Sequence, residues 1–242
     1  RIETWELLTN KIGTISFGEY SFERYDAILS RAIDTGVRIY SAAYIMPSGG
    51  SSLAFGRKHQ MHLKLLEQMM QDELPVRLAD APSMRKAFDL LRSSPTIGDF
   101  LAYQYVTDLN YSSLTNFSEM EFVVPGPGAR DGIRKCFSDL GGLNEAQIIK
   151  LVADRQQTEF DHLGLDFLSL WGRPLQLIDC QNLFCEVDKY ARVKHPEIEG
   201  ITGRMRIKQR YRINPNRISV WYPPKWGLNE RIAGEYKYVP TV

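Results

Sequence analysis

Two blocks decide how this chain is read: residues 118–142, SEMEFVVPGPGARDGIRKCFSDLGG, and residues 171–192, WGRPLQLIDCQNLFCEVDKYAR. In the first, Val124-Pro125-Gly126-Pro127-Gly128 forms a tight turn feeding a helix that begins near Ala129. Glycines let a backbone approach a ligand closely, and a helix N-terminus offers unpaired N–H groups at the positive end of the helix dipole. The turn is therefore a candidate phosphate grip, with Arg130, Arg134 and Lys135 following it. In the second block an amphipathic helix starts near Leu175. Cys180, Leu183, Phe184, Val187 and Ala191 share one side, and Asp179, Asn182, Glu186 and Lys189 line the other at i, i+3, i+7 and i+10. On a solvated face Asp179 would only complement the dipole. Facing a cleft, it becomes a general base or a stabiliser of positive charge, with Asn182 and Glu186 assisting.

Outward from these blocks the chain reads as helices. Ser21 caps a helix closed by Gly36, with Phe22, Tyr25, Ile28, Leu29, Ala32 and Ile33 at 3–4 spacing. Further helices are expected over roughly 57–72, after Pro82-Ser83, over 97–110 and, capped by Asn144, over 145–163. On the 97–110 helix, the polar side chains Tyr103, Gln104, Thr107 and Asp108 are candidates to face a pocket. Residues 37–46 read as either a strand or a helix, and 47–52 as a flexible connection. From 204 to 213 the pattern changes: Arg204, Arg206, Lys208, Arg210 and Arg212 alternate with Met205, Ile207, Gln209, Tyr211 and Ile213. That predicts a strand with one basic face. Residues 186–242 hold 12 Lys/Arg against 6 Asp/Glu, and phosphate is the simplest partner for such an excess. A solvated edge strand kept soluble by charge is the other reading. Trp221, Tyr222 and Trp226 belong to an extended tail.

Composition sets the bounds. The chain has 242 residues, 43% of them hydrophobic, which suffices for a sizeable core, and a net charge of +1, which argues neither for nor against nucleic acid. Its three cysteines, Cys136, Cys180 and Cys185, lack CxxC spacing, so a reducing intracellular compartment is the expectation. No apolar run suits a bilayer span, so no membrane partner is expected. His59 and His62 stand i, i+3 without a carboxylate partner in sequence, and no metal site is assigned. The chain opens on Arg1 with no initiator Met, leaving room for an upstream region.

The segment VPGPGARDG resembles the hairpin of helix-hairpin-helix DNA-binding proteins. With LAYQYVTDLNYSSL, DCQNLFCEVDKYAR and PPKWGLN added, nearly the whole chain resembles one family: the helical domain of 5-hydroxymethyluracil DNA kinases. These proteins are also described as DNA base hypermodification proteins related to the α-glutamyl/putrescinyl thymine pyrophosphorylases. The resemblance implies a mainly α, DNA glycosylase-like, two-lobed fold with a short β arm. Lobe 1 covers about 1–118, a hairpin and catalytic lobe about 119–195, and a basic arm and tail 196–242. It also implies that a 5-substituted pyrimidine is flipped out of duplex DNA and modified by group transfer at its 5-substituent. Asp179 would then be the acid/base, with Gln181, Asn182 and Glu186 around it. The base pocket is assigned to Tyr103, Gln104, Asp108, Trp171, Arg173 and Gln181. DNA contacts are assigned to Gly126, Gly128, Arg130, Arg134, Lys135, Arg204, Arg206, Lys208 and Arg210. No cofactor is required by these residues; a kinase reaction would bring ATP and Mg²⁺, although no GxxxxGK[ST] loop occurs in the sequence. A small-molecule co-substrate is implied but not identified. The alternatives are a glycosylase that excises a modified thymine or uracil, and a DNA-binding module without catalysis.

Overall fold

The computed structural model describes residues 1–41, 45–47, 56–167, 169–170, 172–207 and 221–232, and it is mainly helical. Two compact units emerge, Arg1–Ala81 with Asp89–Ala102, and Pro82–Phe88 with Tyr103–Val242.

In the first unit, α1 (Ile2–Ile12), α2 (Phe22–Asp34), α3 (Lys58–Gln71) and α4 (Leu74–Ala79) follow in order. Ser21 caps α2 as its sequence requires, its hydroxyl accepting from Arg24 N at 3.3 Å. Tyr25, Leu29 and Ala32 from α2 meet Ile39 and Leu63 in a core that Leu7, Leu8 and Ile12 of α1 cover. Neither α1 nor α4 is apparent from the sequence pattern. α1 has no fully buried residue and only Leu7, Leu8 and Ile12 as a short apolar side, and α4 is a 6-residue helix with a proline in its first turn. His59 does have a carboxylate partner, one that no local spacing reveals. Asp26 Oδ1 lies 2.7 Å from His59 Nε2, and Gln60 Nε2 and Ser30 Oγ donate to the same carboxylate. His62 is placed differently, with Nδ1 2.6 Å from the Tyr40 hydroxyl.

The second unit is built on α7 (Pro127–Cys136), α8 (Glu145–His162) and α9 (Leu177–Lys194). α5 (Met84–Arg92) and α6 (Asp99–Asn110) divide their residues between the units. Glu121 caps α5 from a distance, its carboxylate accepting from Met84 N at 2.9 Å and Arg85 N at 3.0 Å. Phe122 then packs edge-on against both Phe88 and Tyr103. Asn144 and Gln147 form a reciprocal capping box at the start of α8.

Glycine decides how α7 meets α9. A Cβ placed on Gly132 would lie 1.9 Å from the Phe184 carbonyl oxygen, and one on Gly128 would lie 2.5 Å from Cys185 Sγ. Only bare backbone at this four-residue spacing lets the helices approach so closely. The seam redraws the buried face of α9. Leu177, Gln181, Phe184, Asp188 and Ala191 are buried in a heptad-like stripe, whereas Leu183, expected on the apolar side, is 50% exposed. Two polar residues in the stripe, Gln181 and Asp188, disguise it in the sequence.

The basic strand expected over 204–213 is not seen in its described part. Residues 204–207 are irregular, and the described residues contain no strand for them to pair with. Residues 208–213, including Lys208 and Arg210, lie outside the described residues, as does Trp171. After residue 220 the chain forms a 3-10 turn, Pro224–Trp226, and a short helix, α10 (Asn229–Ile232).

Candidate active site around Asp179 and Arg173

The first turn of α9 gathers side chains from four parts of the second unit. Asp179 stands at the third helical position, and its Oδ2 accepts from the backbone N–H of Gln176 at 2.8 Å. The same oxygen accepts from Arg173 Nη1 at 3.1 Å. Arg173 Nη2 donates at 2.6 Å to Glu119 Oε2, which reaches in from the segment before α7. One guanidinium thus bridges two carboxylates. The Arg173 side chain is 11% exposed, Glu119 14% and Asp179 28%, so Asp179 is the member most open to a reactant.

An aromatic wall completes the group. The indole of Trp226 covers the guanidinium, with Arg173 Cζ 3.8 Å from the ring centroid, and its Nε1 donates to Glu119 Oε1 at 3.0 Å. Tyr111 meets Trp226 edge-on at 5.3 Å between centroids. Burial raises the Tyr111 phenol, and the charges of Glu119 and Asp179 push it further in the same direction. Burial likewise raises Tyr103, with Tyr111, Asp179 and Glu119 adding to the effect. Both phenols therefore stay protonated and can donate hydrogen bonds. Cys180, next to Asp179, is pushed up to about 11, first by burial and then by that carboxylate, so it is a packed thiol rather than a nucleophile. Beside the group, Gln156 of α8 pins Leu175, donating to its carbonyl at 3.0 Å and accepting from its N–H at 2.7 Å. An open pocket of about 400 Å³ lies there, lined by residues that include Gln156, Phe167, Pro174 and Gln176.

The other residues singled out in the sequence are dispersed. Gln181 is buried and holds the glycine turn, accepting from Gly126 N at 3.2 Å, and its amide donates to Asn182 Oδ1 at 2.7 Å. Glu186 is exposed and pairs with Lys189. Seven residues beyond Asp179, it sits about 10 Å further along the helix axis, so the two do not share a reacting atom. Gln104 is buried and Asp108 exposed on α6. Gly126 and Gly128 are buried against α9, while Arg130 and Arg134 are exposed, Arg134 paired with Glu145 at 3.0 Å. Lys135 is 4% exposed and bound to Asp188 at 2.9 Å. Arg204 turns back to Asp131 at 3.2 Å, and Arg206 is exposed. Sequence reasoning missed Glu119, Tyr111 and the inward role of Trp226. Glu119 lies 54 residues from Arg173 and 107 from Trp226, and no local spacing links them.

These features define a helical domain with a half-sheltered carboxylate–arginine site at the start of one helix. The family described as "5-hmdU DNA kinase, helical domain" matches residues 1–200, and the chain belongs to that family. A 5-hmdU DNA kinase of Bacillus phage SP10 is 25% identical over 187 residues, covering 71% of this chain and 29% of that protein. The chain thus corresponds to under a third of that relative's length. A mitochondrial, non-specific 5-aminolevulinate synthase of Opsanus tau is 27% identical over 144 residues, covering 48% of this chain and 22% of that protein. No solved structure matches the chain. Among the described residues no helix is long and apolar enough to cross a membrane.

Proposed function

We infer that this domain binds DNA and takes part in modifying a flipped-out 5-substituted pyrimidine of the 5-hydroxymethyluracil type, by group transfer at the 5-substituent. The bridged carboxylate pair at the start of α9 carries this reading. Arg173 fixes Oδ2 of Asp179, while Oδ1 takes neither of the two hydrogen bonds described above. An oriented carboxylate of this kind can accept the proton of a 5-hydroxymethyl group as its oxygen attacks an electrophile. Tyr111 stays neutral and can donate to the base, whereas Tyr103 is sealed in the core. If the transfer is a kinase reaction, ATP would be the co-substrate, its γ-phosphoryl passing to the hydroxymethyl oxygen as ADP leaves, with Mg²⁺ offsetting the phosphate charge; the sequence holds no GxxxxGK[ST] loop for it. The exposed cations Arg130, Arg134 and Arg206 meet DNA phosphates, together with Lys208 and Arg210. A glycosylase-like arrangement and an intracellular setting belong to the same proposal. It is supported by the family match, by a carboxylate near a helix start and by three cysteines that are all free.

The test uses duplex oligonucleotides containing 5-hydroxymethyluracil and the full protein. A mass gain on the base with the glycosidic bond intact supports modification, whereas an abasic product shows excision. Asp179→Asn should slow product formation by about 10²–10³-fold while leaving DNA binding in place. If Asp179→Asn is fully active, Asp179 is not the acid/base.

A further inference from the structure

The family match ends at residue 200, yet the candidate site is closed by a segment beyond it. Residues 221–232 form a firmly anchored element. Leu228 and Ile232 are buried at 3% and 8% exposure. Asn229 and Tyr222 exchange two hydrogen bonds, Tyr222 N to Asn229 Oδ1 at 2.8 Å and Asn229 Nδ2 to the Tyr222 carbonyl at 2.7 Å. Lys225 Nζ donates to the Thr115 carbonyl at 2.6 Å and to the carbonyl of Asn110, tying the segment to the end of α6 and the chain leading to Glu119. Burial lowers the Lys225 ammonium, and the charge of Glu119 opposes that shift.

Trp226, at the centre of this element, makes two unlike contacts with the two groups that orient Asp179. Its ring face takes the Arg173 guanidinium, and its N–H takes Glu119. Arg173 is thereby held by a carboxylate on each side and an aromatic face over its plane. Its rotation is restricted, and Asp179 Oδ2 keeps a fixed partner. A planar guanidinium suits this setting where a lysine ammonium would not.

We propose that Trp226 is a positioning residue of the active site: stacked on Arg173 and bonded to Glu119, it orients Arg173 against Asp179, making the C-terminal segment an integral part of the catalytic apparatus. This rests on the reading of Asp179 as the acid/base.

The experiment compares Trp226→Phe, Trp226→Ala, Asp179→Asn and the Asp179→Asn/Trp226→Phe double variant in the full protein, on the 5-hydroxymethyluracil duplex. Trp226→Phe, which keeps a ring but loses the N–H, should stay folded and lose about tenfold in kcat with KM for DNA nearly unchanged. Trp226→Ala should lose more. The double variant should be no slower than Asp179→Asn alone, because Trp226 acts through that carboxylate. A second readout does not depend on turnover: the Trp226 indole N–H proton should exchange slowly with solvent in the wild type and quickly in Glu119→Ala, which removes its acceptor. Folded Trp226 variants with unchanged kcat overturn the proposal, as does a change confined to KM, which would make Trp226 a DNA contact. Full activity in Asp179→Asn removes the acid/base reading alone. The indole exchange then still reports whether Trp226 is bound to Glu119, and fast exchange in the wild type overturns the positioning role.

Discussion

Asp179 and Asp188 stand nine residues apart on α9, each against an arginine, and their surroundings give them opposite tasks. Asp188 is fully buried, bonded to Lys135 at 2.9 Å and Arg192 at 3.1 Å, with Arg204 4.0 Å away. Asp131 of α7 shares that end and takes Arg204 as its own partner. Three cations thus surround two acids, and neither acid is placed to take a proton from a reactant. At the other end, Glu119 and Asp179 share the single guanidinium of Arg173, and Asp179 stays 28% exposed. An acid that outnumbers its cations and is open to solvent can serve chemistry, while an acid locked among cations can serve only structure. Both are aspartates on one helix, so burial and partners separate them rather than residue type.

The largest effect belongs to the sealed end. Asp188→Ala leaves the buried Lys135 and Arg192 uncompensated and should cost about 3–5 kcal/mol in denaturant unfolding. Combining Asp188→Leu with Lys135→Met should recover part of that loss, because apolar packing removes the cost of the stranded ammonium, while the 8% exposed Arg192 still lacks its carboxylate. A double variant as unstable as Asp188→Ala would show that the cluster does more than pair charges. At the open end the effect moves from stability to turnover. Asp179→Asn should lower turnover on the 5-hydroxymethyluracil duplex by about 10²–10³-fold, equal to about 3–4 kcal/mol of barrier, with little change in melting temperature. If instead Asp179→Asn melts the domain and Asp188→Asn abolishes turnover in a folded protein, the contrast is inverted.

Some of this contrast is legible in the sequence. The caps at Ser21 and Asn144, the helices they open and the α9 block with Asp179 in its first turn all follow from local spacing, because a cap and its target amide lie only three residues apart. α1 escapes because it buries no residue fully and covers the core only with the partly buried Leu7, Leu8 and Ile12. Asp188 looks like one more surface charge, since only Lys135, 53 residues earlier, reveals its burial. The partners of Arg173 are hidden for the same reason: Glu119 and Trp226 come to it through tertiary folding. The basic residues mislead in a different way. Alternation along 204–213 suggests a face of five free cations, but Arg204 finds its anion inside the protein, in Asp131.

The glycine seam of α7 and α9 supports both ends, so it tests whether they are coupled. Gly132→Ala would force a Cβ into the Phe184 carbonyl, and because backbone must move, a loss of about 1–3 kcal/mol is expected. Gly128→Ala meets the Cys185 side chain instead and should cost less. If Gly132→Ala also lowers turnover in protein that remains folded, displacement of α9 reaches Asp179. Normal turnover would place the site's geometry in Arg173, Glu119 and Trp226 rather than in the seam.

The smallest effect concerns pH at the sealed end. Burial pushes the Asp131 carboxyl up, but hydrogen bonds from the Thr202 hydroxyl and N–H and from Arg204 outweigh it and hold the group below the ordinary carboxylate range. A depressed folded value means that ionised Asp131 stabilises the fold above its unfolded value of about 4, and that this contribution disappears as pH falls through the lower folded value. What is lost is the grip on residues 200–204, since Thr202 N is bonded to Asp131 Oδ1 at 3.0 Å. Amide exchange at Thr202 should therefore stay slow, relative to an unfolded reference, from neutral pH down to about 4 and lose its protection below that. Asp131→Asn keeps the shape but not the charge, and it should weaken that protection at neutral pH and flatten its acid dependence. Protection that survives acid unchanged in the wild type would show that Gly200, packed against the Asp131 side chain, holds the loop by shape rather than by charge.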